Sequence, residues 1–239
     1  SILNSLFVMT NREFKIDETY ILEKFKLDSC HILNDWESIG YSLSTLKNHE
    51  INIINKGNSF NNTALVIGPG TGLGAALVIK DDIVLPTEIG NSMVSISKFF
   101  EELKLENSND FNVVESLISG SGLAKIYAFF SGSKKSSEEI IESYKTDEFA
   151  QKSIDVFLVS FSQLLSELSL LYMPGKGIYL SGELIRTLHA FLDVNSFMKN
   201  FLGNKKTPHL EILKEIPVAL INKEMTSLHG SLNFINKFR

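Results

Sequence analysis

Apolar positions recur along this chain at two spacings, and the changes between them mark its organisation. Asp17 can cap a short helix carrying Tyr20, Ile21 and Phe25. Trp36, Ile39, Leu43 and Leu46 then form the stripe of an amphipathic helix that starts at Asp35 and ends near Asn48. A brief strand is expected between the two helices, at 30–33. Apolar and β-branched runs next predict strands at 51–54, 63–67 and 75–79. An Asp81-Asp82 turn leads to a further short strand at 83–85, so that this segment reads as a β-meander.

From Ser97 onward the spacing returns to three and four. Helices are predicted at 98–104, 112–118 and 123–130, the last two separated by Ser119-Gly120-Ser121-Gly122. After a loop at 132–135, Ser136 and Glu139 have the spacing of a capping box. Asp147 can cap a long helix striped by Ala150, Ile154, Phe157, Phe161, Leu164, Leu168 and Leu171 and ended by Pro174. A strand at 176–180 leads through Ser181-Gly182 into a helix. Another strand follows at 216–221, and Leu228, Leu232, Ile235 and Phe238 mark a terminal helix. Antiparallel strands first and alternating elements later predict an α/β fold, a mixed sheet covered by helices.

Composition narrows the class. At 239 residues and 44% apolar, the chain is long enough for one large domain or one and a half. Charged residues make up 21%, the net charge is −5 and no run of five like charges occurs, which argues against a nucleic-acid surface or a polybasic membrane anchor. The most apolar stretch, 156–173, is interrupted by Ser160, Ser162, Gln163, Ser166, Glu167 and Ser169, and so reads as a core helix rather than a bilayer span. A single cysteine, Cys30, allows no internal disulfide and, with no signal peptide at the start, favours a reducing, cytoplasmic setting. The five histidines lack ligand spacing, so no metal site is expected from them. Ser1 is followed at once by an apolar run, 2–9, an odd place for a protein to begin.

The densest chemical signal is Gly68-Pro69-Gly70-Thr71-Gly72-Leu73-Gly74, with four glycines in seven residues. Without Cβ atoms, backbone N–H groups can turn together toward an anion, so this is either a phosphate cradle or simply a glycine-rich hairpin turn. It is not a dinucleotide fingerprint, because the glycines are evenly spaced and a strand follows rather than a helix. It is not a P-loop, because no Gly-Lys-Ser/Thr follows.

Together with other segments, this turn makes the chain resemble bacterial glucokinases of the hexokinase branch of the actin-like ATPase superfamily. The resemblance runs in order through Met9-Thr10-Asn11, His31-Ile32-Leu33-Asn34-Asp35, the glycine turn and Leu85-Pro86-Thr87-Glu88-Ile89-Gly90-Asn91. It continues through Glu115-Ser116-Leu117-Ile118-Ser119-Gly120-Ser121-Gly122-Leu123, Gly177-Ile178-Tyr179-Leu180-Ser181-Gly182 and Ile216-Pro217-Val218. It implies an actin-like (ribonuclease H-like) fold with an incomplete small domain: residues 1–45 as its remnant, 46–217 as the large domain, and 218–239 returning to the small one. The hexose would lie in the cleft between them.

The same resemblance implies site roles. Asp35 would accept the proton of the sugar 6-hydroxyl, although an aspartate at a helix start is also a common N-cap. Asn34, Glu88, Asn91 and Glu115 would bond sugar hydroxyls, with Asn91 standing where the family usually has histidine. Gly68, Gly70, Thr71, Gly72 and Gly74 would hold phosphates, and Ser181-Gly182 would lie on the adenosine side. The resemblance implies ATP- and Mg²⁺-dependent hexose phosphorylation by a cytoplasmic enzyme of a family whose members are often homodimers. The family's Asp-x-Gly-Gly-Thr hairpin does not occur in these 239 residues, so a truncated and inactive chain is expected. A non-enzymatic sugar sensor, or a sibling kinase for another sugar, is the alternative.

Overall fold

The computed structural model describes residues 2–3, 6–8, 15–93 and 111–237. Near the start, three short strands, β1 (Ile2–Leu3), β2 (Leu6–Val8) and β3 (Lys15–Asp17), pair antiparallel in a small sheet of their own. These strands are absent from the sequence expectations. The Asp17 carboxylate accepts from the Thr19 amide and caps helix α1 (Glu18–Phe25), as its residue type predicts. Residues 30–33 form no strand, because they pair with no neighbour in either sheet. Helix α2 (Asp35–Ser42) is shorter than expected and tightens into a 3₁₀ turn, Leu43–Thr45.

The strands β4 (Ile51–Asn55), β5 (Thr63–Pro69), β6 (Leu73–Ile79) and β7 (Ile83–Thr87) follow. Then come helices α3 (Val114–Leu117), α4 (Gly120–Ser131), α5 (Ser137–Glu142) and α6 (Glu148–Tyr172), and strand β8 (Gly177–Leu180). Helices α7 (Glu183–Leu188), α8 (Val194–Leu202) and α9 (Thr207–Glu215), strand β9 (Val218–Ile221) and helix α10 (Thr226–Lys237) complete the order. The capping box at Ser136 and Glu139 and the Asp147 cap form as predicted. The expected linker 119–122 does not: Ser119 is the N-cap of α4, and Gly120 to Gly122 are its first turn. The sequence pattern predicts neither α8 nor α9. The helix expected at 98–104, Phe238 and Met9-Thr10-Asn11 lie outside the described residues.

Six strands form one mixed sheet in the order β4-β9-β8-β5-β6-β7. Only β5, β6 and β7 are a meander. β4 sits at the far edge, antiparallel to β9 with Ile51 opposite Ile221, while β5, β8 and β9 run parallel. Side-chain alternation divides the sheet into two faces. Leu65 and Ile67 point toward a large core with Ile126, Phe157, Phe161 and Phe201, whereas Ala64 and Val66 point toward Tyr41 and Ile221. The large core is filled by α6, the one described helix long and apolar enough to cross a membrane, of whose apolar window 61% is buried inside the protein. A core helix, as expected, is the consistent reading.

The opposite face holds the small layer. Small residues at Ala64, Ala76 and Gly40 let α2 approach the sheet, and a Cβ on Gly40 would lie 2.5 Å from a Val84 methyl. Helix α10 crosses over α2 at Gly230, where a Cβ would lie 1.6 Å from the Ser38 carbonyl oxygen. Asn233 Nδ2 donates to the Tyr41 carbonyl at 2.7 Å beside this crossing. Residues 35–42 and 218–237, assigned by the sequence division to segments other than 46–217, thus pack on or within the same sheet.

Candidate functional site

Strands β5 and β6 carry the glycine turn as a hairpin, with Gly68 opposite Gly74 and Pro69 opposite Leu73. None of its four glycines has a positive φ. What three of them supply is clearance. A Cβ on Gly74 would lie 1.6 Å from Trp36 Nε1, and one on Gly68 would lie 1.5 Å from the Ser181 carbonyl oxygen and 3.0 Å from the Trp36 ring. A Cβ on Gly72 would lie 2.6 Å from Glu115 Oε2. A Cβ on Gly70 would have nothing within 4 Å, so that side of the residue faces open space. Two amides of the turn are already engaged: Gly70 N–H donates to the Gly72 carbonyl at 2.7 Å, and Leu73 N–H to Glu115 Oε2 at 3.4 Å. The expectation that the amides of the turn point jointly at an anion therefore narrows to fewer groups.

Trp36, read from the sequence only as part of an apolar stripe, bridges this turn to the start of α2. Its backbone N–H donates at 2.9 Å to both Asn34 Oδ1 and Asp35 Oδ1. Asn34, not Asp35, is the N-cap, and the Glu37 carboxylate closes the box on the Asn34 amide at 3.2 Å. Asp35 is the first helical residue and is exposed. Burial pushes the Glu37 carboxyl above the usual carboxylate range, opposed by the Asn34 amide it accepts from. Burial and then the neighbouring Glu37 charge raise the Tyr41 phenol in the same way.

Beyond β7, Glu88 precedes and Asn91 ends a 3₁₀ turn, and both are exposed; Asn91 Nδ2 donates to Glu88 Oε2 at 3.4 Å. Buried Gly90 joins them to the glycine turn, because a Cβ there would lie 2.5 Å from the Leu73 carbonyl and 3.0 Å from Glu115 Oε2. The Glu115 carboxylate is thus seated between Gly72 and Gly90. Ser181 is buried, its N–H bonded to the Ile67 carbonyl, and Gly182 has φ 113° with Pro69 O 3.1 Å from its missing Cβ. These two residues lie under the base of the turn.

On the Gly70 side opens a cavity of about 580 Å³, within the usual range for small-molecule sites. Gly70 and Thr71 form one wall. Three helix starts form the others: Gly120 and Ser121 of α4, Ser137 and Glu138 of α5, and Glu183 and Leu184 of α7. The Gly120 N–H donates to the Gly70 carbonyl at 2.8 Å, tying α4 to the turn. None of these helix-start residues was singled out as a site residue from the sequence; the available signal was Ser119, whose spacing to Gly122 permits an N-cap. Among the described residues no group of three or more His, Cys, Asp or Glu side chains could hold a metal ion.

A family model described as Glucokinase matches residues 1–237. The chain is 25% identical over 247 residues to the glucokinase-like protein of Xylella fastidiosa (strain 9a5c), covering 97% of this chain and 72% of that one. The crystal structure of a glucokinase from an Antarctic psychrotroph superimposes with a TM-score of 0.83 at 22% identity, over 99% of this chain and 78% of that one. A ROK family glucokinase from Streptomyces griseus, solved with glucose and AMPPNP, gives a TM-score of 0.59 at 16% identity over 91% and 71% of the two chains. The mixed sheet with its two helical layers is the actin-like ATPase fold.

Proposed function

Because the chain belongs to the glucokinase family, we propose that it carries the hexose site and one phosphate-holding turn of a kinase acting on the 6-hydroxyl of glucose or a similar hexose. The observation supporting this most directly is the Trp36 ring resting on Gly68 and Gly74. It brings the Asn34-Asp35 helix start to the glycine turn, while Glu115 reaches the same turn at Gly72.

In this reading Asn34, Glu88, Asn91 and Glu115 hold sugar hydroxyls, and the Asp35 carboxylate accepts the 6-hydroxyl proton as that oxygen attacks phosphorus. The exposed position of Asp35 at the first turn of α2 suits a base that must meet a ligand. ATP supplies the phosphoryl group, with Gly68, Gly70, Thr71, Gly72 and Gly74 beside its phosphates and Ser181-Gly182 on its adenosine side. The cavity behind Gly70 has the size for its nucleoside end. Since Asp-x-Gly-Gly-Thr does not occur in the 239 residues, we propose that they bind hexose but transfer phosphate poorly alone.

The test uses calorimetry for glucose binding and a glucose-6-phosphate dehydrogenase-coupled assay for transfer. The transfer assay is run in a form extended at the N-terminus by the hairpin-bearing segment of a relative. Asp35→Asn is expected to cut turnover by at least about 100-fold, the lower end for general-base loss, with glucose affinity within about threefold. Unchanged turnover in that variant removes Asp35 from its role. Asn91, whose amide is turned onto Glu88, favours a second reading, a sibling kinase for another sugar. Higher turnover of mannose or fructose than of glucose would establish it.

A further inference from the structure

Trp36 is the only tryptophan of the chain, and its two ends contact the two halves of the proposed site. At the backbone end, its N–H is shared by Asn34 Oδ1 and Asp35 Oδ1, both at 2.9 Å. At the ring end, Nε1, Cδ1 and Cε2 occupy the space that a Gly74 Cβ would take, at 1.6, 2.1 and 2.3 Å, and Cη2 lies over Gly68. The indole therefore lies across one cross-strand pair of the hairpin, directly below the turn. Helix α2 has little room to absorb a shift, being wedged between Val84 at Gly40 and α10 at Ser38.

We propose that Trp36 is a positioning residue that couples the two sites: hexose on Asn34 and Asp35 and nucleotide on the glycine turn alter one another's affinity through the indole. This rests on the functional reading above. A sugar hydroxyl that donates to Asn34 Oδ1 or Asp35 Oδ1 shares an acceptor the Trp36 N–H already uses and weakens that bond. The backbone of Trp36 then shifts, and the rigid ring passes the shift to Gly68 and Gly74, since no Cβ or solvent layer lies between to cushion it. Packed interfaces of this kind change in discrete steps rather than deforming smoothly. Coupling of this sort is reciprocal and typically changes affinity about 5- to 150-fold.

The experiment titrates glucose into the 239-residue chain with and without saturating ADP, by calorimetry, and follows Trp36 emission in parallel. Wild type is expected to show a glucose Kd that changes at least about fivefold with ADP, and an emission change on adding either ligand. Trp36→Leu should bind glucose alone within about threefold of wild type but lose the ADP effect to below about twofold, with Trp36→Phe in between. If the leucine variant does not show a cooperative thermal transition, Trp36→Met, which fills more of the ring's space without an aromatic plane, is read by the same titration and the same thresholds. Coupling retained in Trp36→Leu or in Trp36→Met overturns the proposal. So does wild-type binding of both ligands without coupling, which leaves the kinase reading standing. Failure of wild type to bind glucose or ADP overturns both.

Discussion

Replacing Gly230 with alanine sets two effects of opposite sign against each other. Alanine is favoured over glycine inside a helix by about 1 kcal/mol, and Gly230 lies inside α10. Against this, the new methyl would lie 1.6 Å from the Ser38 carbonyl oxygen and 2.6 Å from its carbon, both rigid backbone atoms. Ordinary contact begins at 3.4 Å, so α10 and α2 must part by about 1.8 Å (3.4 minus 1.6). A parting of that size stretches the Asn233–Tyr41 bond of 2.7 Å and the Ser231–Ser38 bond of 3.2 Å beyond hydrogen-bond range.

Overpacking costs about 1–3 kcal/mol and the two hydrogen bonds about 1 kcal/mol each, so after subtracting the helix gain the net loss is about 2–4 kcal/mol. Urea unfolding followed by Trp36 emission measures it, since Trp36 is in the helix that α10 covers. The expected result is a lower midpoint at unchanged slope. A Gly230→Ala protein as stable as wild type, or more so, would show that propensity outweighs the crossing and would refute the close packing of α10 on α2.

The glycine turn makes a sharper contrast: Gly70→Ala should change stability by less than about 0.5 kcal/mol because its Cβ meets open space, whereas Gly74→Ala should lose about 1–3 kcal/mol or more and red-shift Trp36 emission. Equal effects at the two positions would refute the clearance argument. Lys135 and then Tyr127 hold the Asp147 carboxyl at about 2, below its ordinary 3.8. Its stabilising contribution is therefore complete above pH 3.8 and disappears as pH falls toward 2, so the Tm gap between wild type and Asp147→Asn should be flat at neutral pH and close across that window. Glu37 is raised by burial, so its ionisation weakens the fold as pH climbs past its folded value. Glu37→Gln keeps an acceptor for the Asn34 amide and should raise Tm at pH 7 but not below pH 4.5, the ordinary value for this carboxyl; a gain that persists there would point to some other cause.

The residues that were legible in advance share one property, that their partners are near in sequence. Asp17, Ser136 and Asp147 cap their helices because a short acceptor side chain reaches amides two or three residues on, whatever surrounds it. The Gly68–Gly74 hairpin was legible for the same reason, as was the reading of 156–173 as part of a core helix. Ser119 to Gly122 has a linker's composition and a helix N-terminus's geometry, and the Ser119 cap on the Gly122 amide together with the packing of Gly120 on Gly70 selects the helix.

Sequence alone determined the α/β class, most of the caps, and the residue types gathered at the site. Tertiary structure decided which strand lies beside which, so that β4 left the expected meander for β9. It also decided why the turn is glycine-rich, since the atoms that would collide with a Cβ belong to Trp36, Glu115 and Ser181, far away along the chain. Local geometry is written into each short stretch by sterics and hydrogen bonding, but strand pairing and close approach depend on surfaces that exist only once distant segments have met.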